Sequence, residues 1–131
     1  MGSPGAGKAT TVTIRFLDDE IMEGRVATTS LDQPNLELEM LDEASNNERA
    51  LIPLPSIKRI GLGSGVPTAA EQARAGKKVA IRFQDGEVLK GYLDGDLMHA
   101  TYGVTMRLMA VDKDRIETLG IPYTEIGRAH V

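Results

Sequence analysis

The chain repeats itself. Residues Thr13-Ile14-Arg15-Phe16-Leu17-Asp18-Asp19-Glu20-Ile21-Met22-Glu23-Gly24-Arg25-Val26 align with Ala80-Ile81-Arg82-Phe83-Gln84-Asp85-Gly86-Glu87-Val88-Leu89-Lys90-Gly91-Tyr92-Leu93, 67 positions later. Ile, Arg, Phe, Asp, Glu and Gly recur at matching places. Leu36, Leu38 and Met40 match Val104, Met106 and Leu108 at an offset of 68, and Ile52-Pro53 matches Ile121-Pro122 at 69. So slow a drift means short loop insertions inside one topology. A repeat constrains folding first, because each copy must be one structural unit. With 131 residues to share, each unit has roughly 50, so its core is small and marginal unless the copies pack together.

Each unit reads as strands. Val12, Ile14 and Phe16 alternate with Thr13 and Arg15, the period of a half-buried strand. Asp85-Gly86 between apolar runs signals a two-residue hairpin turn, and Asp18-Asp19 is its weaker counterpart. Gly24 and Gly91 fall inside the second strand of each copy, where glycine marks a bulge or bend. Leu36–Met40 alternates as a third strand. Ala50–Leu54 gives a fourth and Ile57–Ile60 a short fifth, with Asn46-Asn47 turning between the third and fourth. Copy two gives strands near Val79–Phe83, Val88–Leu93, Val104–Met109 and Ile116–Ile121. The Gly/Ser/Pro stretch Gly61–Pro67 reads as a flexible linker. After it, Thr68 with Glu71 has the pattern of a capping box that can start a short helix ending before Gly76.

The organisation expected is therefore a flexible tail over 1–9, a first unit over 10–61, a linker over 62–77, a second unit over 78–124 and a tail over 125–131. The last segment contains Ile126-Gly127-Arg128-Ala129-His130-Val131, which has the form of a translated sequencing adapter. It stands where copy one has Ile57-Lys58-Arg59-Ile60. The second unit is accordingly expected to lack its last strand, and the natural chain to continue.

Composition excludes several chemistries. The chain has no Cys, so it has no disulfides, thiol nucleophile or Cys-bound zinc. No apolar run approaches the roughly 18 residues of a membrane helix. Net charge is −4; residues 1–61 carry the whole excess and residues 62–131 balance, which disfavours a dedicated nucleic-acid binder. Gly2–Ala9 nearly spells a phosphate-binding loop. Ala9 stands where Ser or Thr should hold magnesium, and no strand precedes it, so a tail is the better reading. His99 stands without metal-ligand partners at zinc spacing. Asp94-Gly95-Asp96 lacks the later oxygen ligands of a calcium loop and reads as a turn. Asp18-Asp19-Glu20 and Asp42-Glu43 read as solvated turns rather than acid/base pairs. No catalytic, cofactor or metal residue is assigned. The candidates for a partner surface are Arg15 and Arg82, which occupy the same place in each copy, and Lys90, Tyr92 and Arg107, which could form a small stacking surface. For Arg15 the competing reading is a cross-strand ion pair with Glu23.

The segments Thr11–Phe16 with Gly24, and Val79–Gly86 with Gly91, resemble the opening of Sm-like and SH3-like small barrels. The whole unit is similar to a bacterial domain of unknown function appended to signalling, twitching-motility and secretion proteins, in which Asp-Gly, a following Gly and a late Ile-Pro strand recur. The resemblance implies an all-β fold: two tandem small barrels of about five short antiparallel strands each, the second incomplete, joined by a flexible linker. It implies a non-enzymatic interaction or regulatory module in the cytoplasm. Its partner would be a protein, with self-association through exposed strand edges as a hazard. An Sm-like nucleic-acid module is the alternative, and nucleotide binding through the N-terminal loop a second. The late Arg-Gly motif of Sm-like RNA binders is missing at Leu51–Pro53 and Gly120–Pro122.

Overall fold

A computed structural model describes residues 10–28, 30–40 and 49–130, with side chains through residue 126. Asn46-Asn47, Asp42-Glu43 and the N-terminal Gly-rich segment lie outside the described residues. The chain is all-β. In order come β1 (Thr10–Phe16), β2 (Ile21–Val26), β3 (Asn35–Met40), β4 (Arg49–Pro53), β5 (Ile57–Gly65), helix α1 (Ala69–Ala73), β6 (Lys78–Phe83), β7 (Val88–Leu93), β8 (Met98–His99), β9 (Gly103–Met109), β10 (Ile116–Pro122) and β11 (Ile126–His130). All strand pairs are antiparallel. One path runs β11-β6-β7-β9-β10-β5-β1-β2-β3-β4, and β8 lies beside β7 along the same edge of β9. The path does not close on itself.

The repeat is visible in this order. Strands β5-β1-β2-β3-β4 of the first unit correspond in sequence to β11-β6-β7-β9-β10 of the second. Each unit buries its own apolar set, because inward apolar residues alternate with outward polar ones at the period of two. Val12, Ile14, Leu36, Leu38, Ile52 and Ile57 lie in the first core. The repeat counterparts of the first five, Val79, Ile81, Val104, Met106 and Ile121, lie in the second, and Ile126, the counterpart of Ile57, packs against it.

Local rules explain the elements. The first hairpin turns are three-residue loops, not the two-residue turns expected. Phe16 and Glu20 bond across the first and Phe83 and Glu87 across the second, both through N–H to carbonyl oxygen, at 2.9 and 2.8 Å. The third loop residue takes positive φ, 70° at Asp19 and 92° at Gly86, as such loops require. In each, the Asp carboxylate (Asp18 or Asp85) accepts the N–H of the residue two on. Thr68 and Glu71 form a reciprocal capping box at the start of α1.

Three expectations are corrected. Gly61–Gly65 is not linker: it continues β5, which pairs with β1 on one side and with β10 on the other, from Ile60↔Gly120 to Gly65↔Ile116. The backbone groups of this Gly/Ser segment find ladder partners, and that outweighs its low strand propensity. The second unit is not short of a strand, since β11 pairs with β6 from Ile126↔Phe83 to His130↔Ala80. Gly24 does not sit at a register shift. A Cβ there would lie 2.5 Å from Leu38 Cγ, so its glycine is needed for the close crossing of β2 over β3.

The units also meet outside the shared sheet. The Tyr102 N–H donates to the Leu31 carbonyl at 2.8 Å, and the Thr101 N–H to Asp32 Oδ1 at 3.2 Å. Lys58, on β5, is buried and pairs with Asp85 (2.6 Å) and Glu87 on the first hairpin of the second unit, with its ammonium 5.3 Å from the Phe83 ring centre. The seam is thus a continuous ladder, a docked loop and a buried cation.

Candidate functional site

The residues singled out from sequence do not gather into one surface. Arg15 leaves the core face of β1, as its alternation requires. Its Cα partner on β2 is Ile21, so no ion pair with Glu23 forms; its guanidinium reaches Asp19 instead, at 3.7 Å. Its partner on β5 is Arg59. Arg82 lies on β6 opposite Val88 and, on the other side, Arg128. Lys90 stands opposite Ala80, and Tyr92 opposite Lys78, with the Lys113 ammonium 5.4 Å from the Tyr92 ring centre.

Arg107 is engaged internally. It bonds to Glu71 at 3.0 Å and to Asp94 at 2.8 Å, while Arg74 also holds Asp94 at 2.9 Å. The Arg74 hydrogen bond and the charge of Arg107 keep the Asp94 carboxyl below its ordinary range. This network ties α1 to the strands beside it, so Asp94, in the turn after β7, is a structural anchor. His99 lies in β8 and shares a 3.0 Å hydrogen bond between Nδ1 and the Tyr123 hydroxyl. Among the described residues no three His, Cys, Asp or Glu side chains come together as a metal site, and no helix is long and apolar enough to cross a membrane.

Two features were missed in the sequence. Lys58 lies in β5, whose neighbours in the second unit only the tertiary fold brings close. Burial opposes its charge, but the hydrogen bonds it donates to Asp85 and Glu87 outweigh this and raise its pKa. Nearby Glu125 is pushed up by burial and the Asp85 charge. The opposition of Arg15 and Arg59 needed the β1–β5 register, for which the alternation of both strands was the available signal.

The sheet has one described edge in the first unit. Strand β4 pairs with β3 from Asn35↔Pro53 to Glu39↔Arg49, and among the described residues its other side carries no strand. Leu51, at its centre, is 67% exposed. Its repeat counterpart β10 carries β5 on the corresponding side. No protein-family model, curated protein or solved structure matches the chain.

Proposed function

We propose that this is a non-enzymatic interaction module of a larger bacterial cytoplasmic protein of the signalling, pilus or secretion kind, built of two open Sm/SH3-like units, which receives a partner segment as an added strand. The matching strand order of the two units supports the tandem reading. One observation carries the function: β10 takes β5 along its outer edge, while its counterpart β4 has that edge free among the described residues. Strand addition draws affinity from main-chain hydrogen bonds and specificity from alternate side chains. Leu51 and Arg49 project where such side chains would meet a guest.

The test uses the strand that the molecule itself pairs in this way. A synthetic peptide of residues 57–65, Ile-Lys-Arg-Ile-Gly-Leu-Gly-Ser-Gly, added to the full chain labelled with nitrogen-15, is expected to shift the amides of Ala50, Leu51 and Ile52 and slow their hydrogen exchange at least tenfold. A scrambled peptide should do neither. Unchanged β4 amides at millimolar peptide would refute edge addition.

A further inference from the structure

On the outer face of the seam the sheet is hollowed. Val12 and Ile14 point into the core, so Thr11, Thr13 and Arg15 of β1 point out. On β5 the residues facing the same way are Arg59 and Gly61, opposite Arg15 and Thr13. On β10, Leu119 lies across from Gly61. Leu119 itself is buried in the second core, so without a side chain at position 61 the face beside Thr13 sinks to bare backbone. The result is a trough of about 460 Å³ that reaches on to Gly63 and Ser64, with Arg115 and Glu117 at its far end. That volume is on the scale of a small-molecule site.

Two features are not explained by folding. A Cβ on Gly61 would meet nothing nearer than the Thr13 carbonyl oxygen at 3.6 Å, an ordinary contact. Packing therefore does not demand glycine there, although glycine weakens a strand interior. Arg15 and Arg59 are direct cross-strand partners, an arrangement of like charges that destabilises a sheet. Asp19 relieves it only in part, at 3.7 Å and largely exposed, and among the described residues Arg59 has no ion pair. Departures from local folding rules concentrate at functional sites.

We infer that the trough binds a small organic phosphate, its phosphate held between Arg15 and Arg59 and its uncharged body laid over the bare backbone of Gly61 beside Thr13. Two guanidinium forks offer more donors than one carboxylate can accept, whereas a phosphate presents three oxygens and a double charge. An extended polyanion is disfavoured because the Asp18-Asp19-Glu20 turn flanks one end and Glu117 the other. Strand addition at β4 uses a different edge, so the two proposals stand or fall separately.

The test titrates the labelled full chain with adenosine monophosphate at constant ionic strength and follows the amides of Gly61, Gly63 and Ser64. Saturable shifts centred there are expected, with half-saturation at low millimolar or tighter. Adenosine and acetate should give none. Arg15→Gln and Arg59→Gln should each raise half-saturation at least fivefold. Arg59→Lys, which keeps charge but loses the fork, should fall between. Arg49→Gln, paired with Glu37 on β4 two strands beyond the trough, should match the parent. Amide spectra establish that each variant is folded. Linear shifts spread over all basic segments, an unchanged Arg59→Gln curve, or equal response to acetate would overturn the assignment. Tighter saturation by a single-stranded oligonucleotide would overturn it in favour of a nucleic-acid strand.

Discussion

Gly91→Val is expected to destabilise the protein by about 3 kcal/mol or more, at the upper end for overpacking. For a chain of this length that is a fall of roughly 10 °C in Tm. A Cβ at this position would lie 2.5 Å from the Met109 carbonyl oxygen and 2.7 Å from Leu108 Cγ. The first contact is backbone, so no rotamer change can relieve it, and β7 must move off β9. Two ladder pairs, Tyr92↔Met109 and Leu93↔Leu108, then stretch, and these are the only register pairs joining β7 to β9 among the described residues. Gly65→Ala is the control, since nothing lies within 4 Å of its Cβ. It should change stability by no more than about 0.5 kcal/mol. Thermal unfolding of the two variants beside the parent decides the matter, and equal Tm values would show that the close crossing does not exist.

Lys58→Ala is expected to cost about 2 kcal/mol. Breaking a fully buried pair typically costs about 3–5 kcal/mol. The figure here is lower because Asp85 and Glu87 are half exposed and water takes over part of their solvation. The variant also loses the contact of the ammonium with Phe83. Lys58→Met keeps the stem and should recover part of the loss.

The pH dependence follows from the signs. Asp85 is held below its ordinary pKa, first by the Lys58 hydrogen bond. Its contribution is present above about pH 4, near its unfolded value, and fades as pH falls through the lower folded value. Lys58 is raised, so its contribution is present below about pH 10.4 and fades as pH rises through the higher folded value. The gap between parent and Lys58→Ala should be flat from pH 5 to 9 and narrow at both extremes. Denaturant midpoints at pH 3, 7 and 11 measure it. A gap that stays constant across all three would show that no charge pair is involved.

Much of the fold was legible because alternation is local. Val12, Ile14, Leu36 and Leu38 are buried where the period of two places them, and Thr68 with Glu71 caps the helix that the pattern predicts. The seam was not legible. Gly61-Leu62-Gly63-Ser64-Gly65 has linker composition, and what makes it a strand is β10, more than fifty residues away in sequence. For the same reason the three-residue hairpin loops were misjudged, since Asp18-Asp19 and Asp85-Gly86 suit either loop length until the strand register is known. At the candidate trough, Arg15 was visible from the repeat. Arg59 and Arg115 were not, because they reach the same face only through the β1–β5–β10 order.

The central claim is that β5–β10 pairing makes the two repeat units one cooperative body. Differential scanning calorimetry of the full chain tests it directly. The account predicts a single transition whose van't Hoff and calorimetric enthalpies agree, moved as a whole to lower temperature by Lys58→Ala. Two resolved transitions, or a Lys58→Ala effect confined to one of them, would contradict it.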